Sequence, residues 1–128
     1  MEAKVIAYLD ALGVQVATGD ALLGMVINNV EWKLKNLTNQ AEIPEGLEPM
    51  AIRMVVGEYL STLKGMGLLD LATVDLEAAE KQIKEGDTQI TYSVNEGTMT
   101  PEQRLDSLIA ALVSGDMAEI YRYRRLVW

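Results

Sequence analysis

Residues 50–65, MAIRMVVGEYLSTLKG, decide the fold. Ile52, Val55, Val56, Tyr59, Leu60 and Leu63 recur at the spacing of one helical face, and Met50 and Met54 widen it. A stripe that broad has to be covered on several sides, so it predicts the central and most buried helix of a helical domain. Pro44 and Pro49 bracket its start, since proline is tolerated in a first helical turn. Gly65 and Gly67 end it. Gly57, in mid-helix, costs about 1 kcal/mol against alanine, which a close helix crossing at that point would explain. Glu58 is the one acid beside this apolar face and is expected to pair with Arg53 or Lys64.

Upstream, residues 2–12 read as a short helix ending at Gly13. Leu23, Val26, Ile27, Val30, Leu34 and Leu37 hold helical spacing over four turns, predicting a helix over 20–37 with Asp20 as its N-cap. Trp32 falls off that stripe, which places it over a neighbouring helix or in a subunit interface. Downstream, Thr100, Pro101 and Gln103 form the signature of a capping box. The helix it starts carries Leu105, Leu108, Ile109, Leu112 and Val113 on one face, and Gly115 closes it.

Residues 82–94, QIKEGDTQITYSV, depart from this pattern. Ile90, Tyr92 and Val94 alternate with Gln89, Thr91 and Ser93, the period of a strand, and Gly86-Asp87 reads as a turn. An extended β-like arm or hairpin is therefore expected over about 80–98. A second extended segment is expected at the C-terminus, where Tyr121, Tyr123, Leu126 and Trp128 alternate with arginines over residues 120–128. The fold expected is mainly α: a single domain over 1–128, a small bundle of three to four helices with one arm and one extended tail.

Charge is unevenly placed. Residues 1–119 hold all 19 acids and 8 of the 11 bases, whereas residues 120–128 hold Arg122, Arg124 and Arg125 and no acid. An acidic body argues against wrapping a phosphate backbone. The basic-aromatic tail is better suited to docking on an acidic or hydrophobic partner surface. With no histidine and no cysteine, the usual general base, thiol nucleophile and commonest metal ligands are missing. No catalytic, cofactor-binding or metal site is expected, and the EGDT loop at 85–88 lacks the spacing of a calcium or phosphate loop. The N-terminus lacks the basic and apolar regions of a signal peptide, and no apolar run approaches the ~18 residues of a membrane span. The chain reads as a soluble, cytosolic protein when made.

Five blocks, in order, carry a resemblance. EIPEGLE (42–48), MVVGEYL (54–60), LEAAEKQIKEGDTQITY (76–92), TPEQRLDSLI (100–109) and YRYRRLVW (121–128) are similar to the head–tail connector, or adaptor, proteins of tailed bacteriophages and prophages. The resemblance spans roughly residues 20–128; residues 1–19 are less diagnostic. It implies a structural, non-enzymatic protein that forms a ring, commonly twelve- or thirteen-fold, beneath the capsid portal. Such a ring would extend the DNA channel, letting DNA pass without specific binding, and present a surface to the next connector, stopper or tail protein. It implies assembly in the host cytoplasm and residence at the head–tail interface of the virion, with no membrane partner. In a ring, the arm could pair with an extended segment of the adjacent subunit. Interface residues expected on this basis are Trp32, Gln89, Ile90 and Tyr92, with Tyr121, Arg122, Tyr123, Arg124, Arg125 and Trp128 of the tail. The alternative is a small acidic intracellular regulatory module that engages one protein partner through the same tail.

Overall fold

A computed structural model describes residues 1–69, 74–75 and 100–125. The expected arm, with Gln89, Ile90 and Tyr92, and the terminal Trp128 lie outside the described residues. The described chain is mainly helical and contains no strand: α1 (Glu2–Ala11), α2 (Ala21–Thr38), a 3-10 turn (Glu45–Leu47), α3 (Glu48–Gly65), α4 (Pro101–Ser114) and α5 (Met117–Arg122).

Helix α3 is the centre. It packs against α1, α2, α4 and the 3-10 turn, while α5 lies against α2. Met50, Ala51, Met54, Val55, Val56, Tyr59 and Leu60 of α3 are buried, as the broad stripe requires. Val5 and Leu9 of α1, Leu23, Val30 and Leu34 of α2, and Leu105 and Leu108 of α4 meet them in one core. Each such side chain contributes about 1.5–3 kcal/mol on leaving water. The crossing expected at Gly57 is present. A Cβ there would lie 2.7 Å from Leu112 Cβ and 2.9 Å from Val113 Cγ2, so hydrogen is the only side chain that lets α3 and α4 sit this close. Residues 74–75 return to the end of α1, where the Asp75 N–H donates to the Leu12 carbonyl at 2.8 Å.

The helix starts follow their caps. Asp20 accepts from the Leu23 N–H at 2.9 Å. Thr100 accepts from the Gln103 N–H at 3.2 Å, and Gln103 Oε1 accepts from the Thr100 N–H at 3.1 Å, completing the box. Thr100→Ala should therefore lower stability by about 1 kcal/mol. A urea midpoint unchanged from wild type would contradict that.

One expectation needs correction, and a second is narrowed. The tail is not extended from residue 120: Asp116 accepts from the Ala118 and Glu119 N–H groups and starts α5, which runs to Arg122. The physical reason is Ile120, fully buried against the bundle; Gly115 packs beside its Cδ1 and the Met54 and Met50 sulfurs. One anchored apolar residue and a good cap outweigh the strand-like alternation of Tyr121 and Tyr123. Lys64, one of the two cations expected to pair with Glu58, instead points at α4, pairing with Asp106 and, at 3.9 Å, with Glu102.

A second ion pair, Lys4 with Glu48, ties α1 to the start of α3. The hydrogen bond from Lys4, then its charge, holds the Glu48 carboxyl below its ordinary value of 4.5. The same partner raises Lys4 above its ordinary 10.5. A lowered acid contributes stability above its unfolded pKa and loses it as pH falls through the folded value; a raised base loses its contribution as pH rises through the folded value. Wild type should therefore exceed Glu48→Gln in denaturant midpoint at neutral pH, and the difference should shrink as pH falls through the folded value of Glu48, below its ordinary 4.5. A gap that persists in acid would mean the glutamate acts by packing instead of charge.

Candidate functional site

The polar features that stand out are gathered where α2 ends and the chain terminates. α2 stops because Asn39 takes a left-handed conformation (φ 54°, ψ 39°), its N–H returning to the Lys35 carbonyl. Thr38, just before it, is fully buried, and its hydroxyl donates to the Leu34 carbonyl at 2.7 Å. That geometry leaves the Thr38 carbonyl and the Asn39 and Gln40 side chains to meet another segment. The segment is the C-terminus. The Arg125 N–H donates to the Thr38 carbonyl at 2.6 Å, Asn39 Nδ2 donates to the Arg125 carbonyl at 3.2 Å, and Gln40 Nε2 donates to the Tyr123 carbonyl. The Tyr123 ring lies directly over Gly46 in the 3-10 turn, where any added side chain would collide with the phenol.

Residues 123–125 are thus latched onto the α2–α3 junction of their own chain. Comparison with protein-family models, with curated proteins and with solved structures finds no significant match. The reading of this end rests on its own chemistry.

The side chains left outward are cationic and aromatic. Trp32 is 57% exposed on α2, with the Lys35 ammonium 5.2 Å from its ring centroid. Tyr121 is 48% exposed on α5, with the Arg124 guanidinium 5.9 Å from its ring. Cations over aromatic faces gain about 0.5–1 kcal/mol at exposed sites. Arg122 and Arg125 are also exposed.

Of the expected interface residues, Tyr121 to Arg125 are brought to the end of α2, the helix that carries Trp32. Trp32 itself is more than half exposed. Tyr123 differs from its neighbours: it is half-buried and spent on the latch. Sequence reading missed the receivers Thr38, Asn39, Gln40 and Gly46, because a polar loop carries no periodic signal of what will dock on it. It also missed Met25, 64% exposed two turns before Trp32 on α2. Its cue was available, since Met25 lies off the apolar stripe just as Trp32 does.

Titratable groups elsewhere are displaced for structural reasons. Burial pushes the Tyr8 phenol above its ordinary value, opposed by the nearby Arg53 charge, and burial likewise raises Tyr59. Among the described residues, no group of three or more acidic side chains is placed to hold a metal ion. No described helix is long and apolar enough to cross a membrane.

Proposed function

We propose that this chain is a structural component of a tailed bacteriophage or prophage, a ring-forming connector between the capsid portal and the tail. In this reading the ring extends the channel through which DNA passes. One face meets the portal protein, and the other receives the next connector, stopper or tail protein. The protein assembles in the host cytoplasm and resides at the head–tail interface of the virion. It works by binding and shape, without catalysis or cofactor.

The observation that carries this reading is where the connector-like blocks fall. The first block, EIPEGLE, holds Gly46, and the last, YRYRRLVW, holds Tyr123, which covers it. MVVGEYL and TPEQRLDSLI lie on α3 and α4, the two helices that cross at Gly57. The blocks thus supply Gly57 to the core crossing and Gly46, Tyr123 and Arg125 to the terminal latch. A surface offering Trp, Tyr and Arg together has the composition of a protein-binding interface.

Native mass across a wide range of protein concentration, with negative-stain images of the large species, tests the reading. The expected result is a closed ring, formed by the chain alone or on a portal template. A particle that closes as a simple dimer would count against it.

Deleting residues 120–128 is too blunt a test of the tail, because it removes Ile120 from the core. Substitution of the outward arginines is the cleaner probe.

A further inference from the structure

The described cations divide into two sets. On α1, α3 and α4, Lys4 and Lys64 are ion-paired and Arg53 and Arg104 are also engaged within the fold. The others, Lys33, Lys35, Arg122, Arg124 and Arg125, belong to the second half of α2 and the chain end latched to it. Residues 120–128 hold three of these cations and no acid, whereas residues 1–119 hold eight cations against nineteen acids, Glu31, Glu42, Glu45, Asp116 and Glu119 being those nearest this end in sequence. One end of the molecule is therefore locally basic on an otherwise strongly acidic chain.

The adjoining face of α2 is also unusual. Residues 21–30, ALLGMVINNV, contain no charge, in a chain whose residues are 23% charged. Its outward positions are Gly24, Met25, Asn28 and Asn29, leading to Trp32. A Cβ at Gly24 would meet nothing within 4 Å, so another backbone can come close there. An uncharged strip with Met and Trp, bordered by arginines, matches the core and rim of a protein interface.

We infer that the outward face of α2, with its cationic border, is the surface by which one copy of this chain grips an acidic face of a second copy. The inference rests on the ring reading above and names the gripping face. Charge decides the arrangement. Pairing this face with itself about a two-fold axis through its basic border would set arginine against arginine, and like charges facing each other oppose that pairing. Offered to the remaining surface of a second copy, the same arginines meet net negative charge. The two surfaces in contact are then different, which makes the assembly head-to-tail, the kind of contact that closes by rotation into a ring.

The test uses the full chain and the triple variant R122E/R124E/R125E, which reverses three outward side chains and leaves the backbone latch in place. Light scattering at about 50 mM and 500 mM salt should show wild type assembling at the lower salt and weakening at the higher, as screening shortens the reach of charge. The triple variant should need at least about tenfold more protein to assemble. Trp32→Ala, on a different element and without charge change, should weaken assembly too, and keeps the test decisive if the triple variant misfolds by circular dichroism. Mixed with wild type, the folded triple variant should cap growing assemblies, because its acidic face still accepts a neighbour while its basic end cannot reach one.

Assembly of both variants at wild-type concentrations would overturn the assignment of this face and leave the ring reading standing. Growth that stops at a dimer would overturn the head-to-tail arrangement. A wild type that stays monomeric at low salt, yet binds a fluorescein-labelled single-stranded oligonucleotide that the triple variant does not, would replace the inference with a nucleic-acid site.

Discussion

Gly57→Val should lower stability by about 3 kcal/mol and loosen the contact between α3 and α4. The position gives two opposed expectations. In an exposed helix, replacing glycine by alanine gains about 1 kcal/mol because the unfolded chain loses less freedom. Here the first carbon added would come to 2.7 Å from Leu112 Cβ and 3.0 Å from the Val113 backbone nitrogen. Those atoms belong to or adjoin the α4 backbone, so no rotamer change relieves the contact and the helix must move. Overpacking of this kind costs about 1–3 kcal/mol, and the branched methyls of valine place it at the upper end or beyond. Against the 5–15 kcal/mol typical of a domain, that is a large fraction. Urea midpoints should rank wild type above Gly57→Ala and Gly57→Ala above Gly57→Val. A valine variant as stable as wild type would mean that the helices do not cross as closely as this.

Leu60→Ala should cost about 3–4 kcal/mol, the range for truncating a fully buried leucine in a core that cannot collapse. Leu60 is fully buried on the helix that α1, α2 and α4 all pack against, so surrounding elements are held in place by their other contacts. Leu63, one turn on, is only partly buried, and Leu63→Ala should cost about 1–2 kcal/mol. Denaturant unfolding of the two variants measures the difference. Equal losses would move the centre of the core away from the middle of α3.

Much of this architecture was legible because it is local. Periodicity located α2 and α3, and short polar signals located their starts: Asp20 before α2, Thr100 and Gln103 around the first turn of α4. The mid-helix Gly57 was legible as a crossing because a glycine there is expensive without one. What was not legible is what depends on a partner far along the chain. Tyr121 and Arg122 look like part of a strand until Ile120 is seen to have a socket, and only then does Asp116 become a cap. Thr38, Asn39 and Gln40 read as a helix end; that they hold the chain terminus follows from the fold alone. Trp32 was legible as off the stripe, and the fold leaves it 57% exposed. Half of the expected binding residues thus turn out to be set around one latch, with Tyr123 inside it and its neighbours facing out.

The latch alters what the tail can do as well. Its backbone is committed through Arg125 to the α2–α3 junction, so its outward arginines are presented from a fixed position and not from a free arm. A fixed cationic edge loses less entropy on binding than a floppy one, which is what the proposed ring contact requires.

The most direct test of the proposed connector role is electron microscopy of the full chain mixed with the portal protein encoded in the same genome. The account predicts a ring of this chain beneath the portal, coaxial with its channel and repeating around its axis. A portal left bare in the presence of excess monomeric chain would contradict it.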